Sequence, residues 1–442
     1  MSSIATEIAE IRESDQRTQL RRAIFASTVG TTIEWYDFFL YGVATPLVFA
    51  KLYFPDSDPG VAMLKSFAIY AVGFVARPVG AAIFGHYGDR IGRKSTLIAT
   101  LLLMGLATFA VAFVPSYDSI GIWGAVILTL LRVFQGIGVG GEWGGSVLMS
   151  MEWARSNQHR GFIASWPQFG VPAGLFLANL AVLGFSAWSG DQFLVWGWRV
   201  PFLLSILLVA LGLYIRLGIL ETPVFSKIAA ENRLAATPML EVFQRHWHQI
   251  ILSALLRMAE QAPFYLFTTF VFAYGTDTLH VKRDLLLAAV MTGAFTSFFT
   301  LPFFGHLSDR IGRRKMYLIG AMTVGAFGFV YFALLNTLSP TLIFVAIAAS
   351  LIPHAMLYGP QAALIAELFP GRLRYSGASI GYQLASVIAG GPAPLIAAAL
   401  FQAYHSGYVI AGYILLCAVI SIIAASRVAD YTNRDLTGIH GE

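Results

Sequence analysis

Apolar residues run along this chain in blocks of roughly 20, without the alternation of an amphipathic helix or strand, so most segments are greasy on every side. Polar breaks divide these blocks into twelve predicted helices, at 23–50, 62–84, 96–115, 121–150, 162–186, 199–218, 248–275, 285–305, 316–336, 341–368, 376–404 and 407–428. The longest polar stretch, from Leu220 to Trp247, separates the sixth helix from the seventh. The expected organisation is a tail over 1–22, a six-helix bundle over 23–218, a connector over 219–247, a second six-helix bundle over 248–428 and a tail over 429–442. The first twenty residues are polar and lack the short apolar core of a cleavable signal peptide, so they read as a cytoplasmic tail.

Composition turns this pattern into a solvent. Of 442 residues, 57% are hydrophobic and 12% charged, whereas a soluble protein carries about 25% charged residues. A water-facing surface cannot be made from half that supply, and an all-α polytopic membrane protein in a lipid bilayer is expected. A net charge of +5 raises nucleic acid as a partner, but the placement of the charge removes it. Most of the 29 Lys and Arg fall in the termini and in alternate loops on one side, among them Arg90, Arg93, Lys94, Arg155, Arg160, Arg310, Arg313, Arg314, Lys315, Arg372 and Arg374. Only Lys51, Lys65, Arg199, Lys282 and Arg283 map to the other side or its boundary. That bias predicts both termini in the cytoplasm. The single cysteine, Cys417, lies in an apolar run, with no CxxC or Cys/His cluster to suggest a metal. No cofactor is expected.

The chain repeats itself. Gly85-His-Tyr-Gly-Asp-Arg-Ile-Gly-Arg-Lys94 returns as Gly305-His-Leu-Ser-Asp-Arg-Ile-Gly-Arg-Arg314, each between the second and third helix of its half. A looser pair follows each fourth helix: Glu152 with Arg160 and Gly161, then Glu367 with Arg374 and Gly377. Gln168 and Gln383 occupy matching places in the fifth helices. A duplicated six-helix unit places a solute site near the midplane, between halves that rock for alternating access.

These loops resemble the signature of the major facilitator superfamily. Within it, Thr32-Ile-Glu-Trp-Tyr-Asp-Phe-Phe-Leu-Tyr-Gly42, Gln135-Gly-Ile-Gly-Val-Gly-Gly-Glu-Trp-Gly-Gly145 and Gly197-Trp-Arg-Val-Pro-Phe202 resemble the metabolite:proton symporter family. The resemblance runs from Ala23 to Asp430 and implies carriers of shikimate, α-ketoglutarate, citrate and other carboxylates, or of proline and betaine. Osmosensing betaine carriers of this kind have a long C-terminal coiled coil, which this sequence does not show. By resemblance, Asp89 and Arg93 would bond with the Glu152–Arg160 region and neighbouring helix ends and hold the cytoplasmic side shut. Asp309 and Arg313 would do likewise with Glu367 and Arg374.

Ionisable residues inside spans are costly and therefore functional candidates. Glu34 and Asp37 stand three apart on one face of the first helix, and two carboxylates close together in low dielectric do not easily both ionise. That property suits a proton carrier. Arg132 in the fourth helix is a candidate partner for Asp37, a pair that proton binding would break, and Glu142 lies further along the same helix. Arg77 occupies the second helix, and Arg257 and Glu260 lie one turn apart in the seventh. If Arg132 and Arg257 both face the cavity they would grip a carboxylate. The alternative is that Arg257 only neutralises Glu260. Tyr36, Tyr41, Gln135, Trp166, Gln168, Gln261, Tyr265, Tyr358 and Gln383 are candidate solute contacts, although helix–helix hydrogen bonds use the same residue types. His354 follows Pro353 at a predicted helix break.

Two motifs are decoys. Gly136-Ile-Gly-Val-Gly-Gly141 satisfies GxGxxG, yet no strand precedes it, and its glycines suit close helix packing. Gly88 to Ser95 lacks the Gly-Lys-Ser/Thr ending of a phosphate loop. Gly161, Gly170 and Gly174 match the glycine spacing of antiporters only in part. The expectation is a monomeric secondary transporter, not an enzyme, that couples protons to uptake of a small organic anion. A zwitterion carrier is the alternative, and a solute receptor on the same fold is the rival from another class.

Overall fold

The computed structural model describes residues 2–153, 159–230 and 236–434. Among these residues every regular element is helical. Twelve helices build the bundle: α1 (Ser2–Ala44), α2 (Pro59–Ile91), α3 (Arg93–Val111), α4 (Trp123–Met151), α5 (Arg160–Ser189), α6 (Arg199–Leu217), α7 (from Trp247–Leu256 through Met258–Tyr265), α8 (Arg283–Ile311), α9 (Arg313–Leu335), α10 (Pro340–Ala366), α11 (from Arg374–Ala385 through Ala393–Tyr404) and α12 (Gly407–Arg427). Eleven of them are long and apolar enough to cross a bilayer, and α1 packs with them as the twelfth member. The polar stretch between the halves contains two short helices, Pro223–Ala230 and Pro238–Arg245. Arg155, counted among the basic loop residues, lies outside the described residues.

The repeated loop motif owes its last glycine to the backbone. Gly92 and Gly312 adopt φ of 111° and 98° at the single-residue corners joining α2 to α3 and α8 to α9. Side-chain-bearing residues reach that region only under strain. Each half then packs in the same pairs: α1 on α5, α2 on α4 and α3 on α6, matched by α7 on α11, α8 on α10 and α9 on α12. The glycines of the GxGxxG decoy serve the α2–α4 pair. A Cβ at Gly136 or Gly140 would strike the carbonyls of Gly73 and Arg77. Two seams join the halves, α5 against α8 and α2 against α11.

The predicted break at Pro353 does not occur. α10 runs unbroken through Pro353 and Pro360, because a helix buried among neighbours can re-satisfy the backbone groups a proline frees. The break falls instead on α7 at Arg257, between Leu256 and Met258. Beyond it, π-turns interrupt α7 at Leu266–Phe270, as they interrupt α1's continuation at Thr45–Phe49 and α11 at Ser386–Gly390. Such turns are frequent at functional sites.

Candidate functional site

Around Arg257 the second half gathers a compact polar cluster. Arg257 pairs with Glu260 at 2.9 Å, and its guanidinium lies 3.3 Å from the centre of the Tyr382 ring. Glu260 also meets His354 Nε2 at 3.3 Å and accepts from Gln361, which donates to Tyr317 as well. Arg257, Glu260, Gln261, Tyr265, Tyr358, His354, Phe264 and Tyr382 line an enclosed central cavity that Trp35 and Val171 of the first half complete. Its accessible volume is about 10 Å³, room for about one water. The site is thus collapsed around itself in this conformation.

In the first half the buried Glu34, Asp37 and Glu142 and the buried Arg77, Arg132 and Arg216 are arranged differently. Glu34 and Asp37 take different hydrogen-bond partners. Glu34 accepts from Arg216 at 3.0 Å, and Arg216 also lies 3.5 Å from Glu142, which accepts from Thr31 at 2.7 Å and from Ser146. Arg216 escaped the sequence reading because it sits at the end of its span, where basic residues ordinarily mark the membrane edge. Asp37 instead accepts from Ser205 of α6 at 2.7 Å, and its other oxygen, buried, has no hydrogen-bond partner.

The expected Asp37–Arg132 ion pair is absent among the described residues. Arg132 stands 4.1–4.6 Å from the ring centres of Phe38, Tyr41 and Tyr70, and aromatic faces hold its charge in place of a carboxylate. Arg132 donates to Gln135 at 3.0 Å, Gln135 to Thr108 at 2.8 Å, and the Thr108 hydroxyl to the Met104 carbonyl at 3.0 Å. Nor does Arg132 line the cavity, as had been expected alongside Arg257. Arg77 is closer to it, 5.3 Å from the ring of the cavity residue Trp35 and 4.2–4.4 Å from Phe38 and Phe74. One of its nitrogens donates to Ser386 of the second half at 3.3 Å, and two others have no partner. Among the described residues neither Arg77 nor Arg132 meets a carboxylate.

The uncharged candidates divide between scaffold and seam. Tyr36 and Tyr41 donate to the backbone carbonyls of Pro201 and Leu128 within their own half, and Trp166 packs between Phe162 and Phe169. Gln168 and Gln383, matched in the repeat, each reach across the seam to a carbonyl of the other half, Tyr358 and Val139, both at 3.3 Å. Gln261 donates to Ser386 at 2.9 Å. Trp143 of the first half stacks on the cavity residue Tyr382, with ring centres 3.6 Å apart.

The face that carries the termini is closed by the repeated motifs, with crossed partners. Asp89 accepts from the Ser376 backbone N–H at 2.9 Å and hydroxyl at 2.8 Å, and from the Tyr375 N–H at 3.4 Å, at the N-terminus of α11. Asp309 accepts from the Gly161 and Phe162 N–H groups, at 2.8 and 2.9 Å, at the N-terminus of α5. Each aspartate therefore caps a helix of the other half, where the unpaired N–H groups and helix dipole favour a negative charge. The arginines keep the expected partners, Arg93 with Glu152 at 3.5 Å and Arg313 with Glu367 at 2.8 Å. Arg160 and Arg374 differ from expectation by crossing over, to Glu367 at 3.0 Å and to Glu152 at 3.9 Å. At the opposite end of the α5–α8 seam a cleft of about 490 Å³ opens, lined by Phe176, Leu183, Asp284, Leu287, Met291 and Phe295 among others. The α5–α8 seam is latched at one end and opens into this cleft at the other.

Two duplicated bundles around a small central cavity, with paired latches on one face, make up a twelve-helix membrane fold. Sequence comparison identifies the lineage: a profile of the Sugar (and other) transporter family matches residues 23–249, and one of the Major Facilitator Superfamily matches residues 276–438. The chain is 39% identical over 422 residues to the shikimate transporter of Escherichia coli (strain K12), spanning 93% of this chain and 95% of that one. It is 38% identical over 416 residues to the inner membrane metabolite transport protein YhjE of the same organism, spanning 92% and 94%. Identity to that organism's proline/betaine transporter is 33% over 433 residues, spanning 95% and 85%. In fold it is similar to the proton:xylose symporter XylE, with a TM-score of 0.73 at 18% identity over 95% of this chain and 98% of that one. The chain belongs to the major facilitator superfamily, among its metabolite transporters, and is a multi-pass membrane protein and not an enzyme.

Proposed function

We propose that the protein is a proton-coupled symporter of a small organic anion, working in a bacterial inner membrane with both termini cytoplasmic. The observation that carries this reading is the pair of buried arginines, Arg77 and Arg132, that meet no acid among the described residues. A buried cation without a counter-ion is expensive, and a carboxylate solute entering beside Arg77 would complete its hydrogen bonds. Asp37 is the proton site of this reading. It is buried, accepts from the neutral Ser205 hydroxyl, and meets no arginine among the described residues, so a proton settles on it without breaking an ion pair. The latched face is the cytoplasmic one, and the conformation is closed inward.

A second reading, a zwitterion such as a betaine, is favoured by the cavity wall. Trp35, Phe264, Tyr265, Tyr358 and Tyr382 surround the cavity together with Glu260, and aromatic rings with one carboxylate suit a quaternary ammonium group. Transport in proteoliposomes under imposed gradients separates the two. A monoanion moving with one proton carries no net charge and draws about 1.4 kcal/mol per pH unit. A zwitterion with one proton also draws about 2.3 kcal/mol per 100 mV. Asp37→Asn is expected to abolish gradient-driven accumulation while leaving solute exchange within about twofold, because exchange needs no net proton movement. Full accumulation by that variant refutes the proton assignment, and voltage-driven uptake moves the substrate to the zwitterion class.

A further inference from the structure

Beside the Asp309 latch lie two histidines that neither the latch nor the solute site uses. His159 immediately precedes α5 in the first half, and His306 lies on α8 in the second. Their rings face each other with centres 6.1 Å apart and planes inclined by 24°. The ligating atoms of His159, His306 and Asp309 all lie within 4.8 Å of one another. We propose that these three residues form a binding site for a divalent transition metal ion of the zinc type, which bridges the two halves and clamps this face shut.

The donor set suits such an ion. Two imidazoles and one carboxylate, with water in the fourth position, make a tetrahedral site open to solvent. Metal bonds of about 2.0–2.1 Å place ligand atoms about 3.3 Å apart, so atoms that lie within 4.8 Å of one another need draw in by no more than about 1.5 Å. His159 is exposed and His306 half-exposed, which leaves their rings free to turn. Asp309 is held in place by the Gly161 and Phe162 N–H groups and by Arg313 at 3.0 Å. Its Oδ2 accepts from Phe162 alone, so a lone pair remains for a metal. Arg313, the neighbouring cation, is already matched by two carboxylates, Asp309 and Glu367.

The repeat shows that the latch does not require these histidines. At the α2–α11 seam the counterparts are His86, Leu373 and Asp89, and that seam closes in the same way although Leu373 cannot ligate. His86 there turns to Arg90 at 3.4 Å. The histidine pair is therefore an addition to one seam only. Because its ligands come from both halves, the site is complete only while this face is closed. An ion that binds one conformation stabilises it in proportion to its occupancy.

The test requires no knowledge of the solute. In a Cys417→Ser background, Ser165→Cys places a thiol on α5 against Gly305 of α8, buried while the seam is shut. Maleimide then reports opening of the α5–α8 seam in the full-length protein in proteoliposomes. Micromolar Zn²⁺ is expected to bind with one-to-one stoichiometry by calorimetry and to slow alkylation at least tenfold. His159→Ala and His306→Ala, separately and together, are expected to weaken Zn²⁺ binding at least tenfold while leaving metal-free alkylation within about twofold. Retention of Zn²⁺ by the double variant refutes the site. Zn²⁺ binding that leaves alkylation of the parent unchanged refutes the clamp.

Discussion

In the second half the buried acid and base, Glu260 and Arg257, are paired within one helical turn and complete their bonding with His354, Gln361 and Tyr382. The first half shares the helix arrangement but leaves some of its charges without an ionic partner among the described residues. Arg216 serves two acids at once, Arg77 and Arg132 rest on aromatic rings, and Asp37 has only neutral partners. Gene duplication thus preserved the packing of helices and the latches but not the buried electrostatics. A satisfied cluster makes a stiff wall, whereas groups held without a counter-ion respond when a proton or a solute arrives.

Breaking the Glu34–Arg216–Glu142 triad should have the largest effect. Arg216→Met leaves two buried carboxylates without a cation, and should destabilise the protein by about 3–5 kcal/mol in denaturation measurements. Adding Glu34→Gln and Glu142→Gln should restore most of that loss. An intact melting profile for the single variant would show that the triad is more hydrated than its burial implies.

The contrast between free and paired arginines comes next. Arg77→Gln should weaken binding of a carboxylate solute by about 10–100-fold, the value of a charge-assisted hydrogen bond of roughly 1.5–3 kcal/mol. Glu260→Gln, which leaves Arg257 on the Tyr382 ring, should change it by only about two- to fivefold. Competition assays with the solute found in the proteoliposome screen measure both. Equal effects would erase the distinction between the halves.

Smallest is the effect expected at the latches, where the halves agree. A Cβ at Gly161 would come within 2.8 Å of the Asp309 carboxylate and 2.9 Å of the Gly305 carbonyl, and one at Gly88 would strike the Tyr375 ring. Gly161→Ala and Gly88→Ala should each wedge their seam by about 1–2 kcal/mol. Either should raise maleimide labelling of Ser165→Cys roughly tenfold, since both seams close the same face. Opposite signs would mean that the seams move independently.

Membrane class, helix number and the two-bundle plan were legible in the sequence, because lipid imposes one rule on every span: about 20 apolar residues with the backbone satisfied within the helix. The loop motifs were legible for a similar reason, since Gly92 and Gly312 answer to local backbone geometry. So was the burial of most of the embedded charges, which is costly wherever they point. Their partners were not legible. Helical spacing put Glu34 and Asp37 on one face, but which neighbour each meets depends on helix rotation and on α6, more than 150 residues away in the chain. The crossed latches were equally hidden, as a motif names the residue types of a contact and leaves open which half supplies the other side. Only the packed bundle chose among electrostatically equivalent partners, because side chains a few ångströms apart in space carry no common mark in the order of the chain.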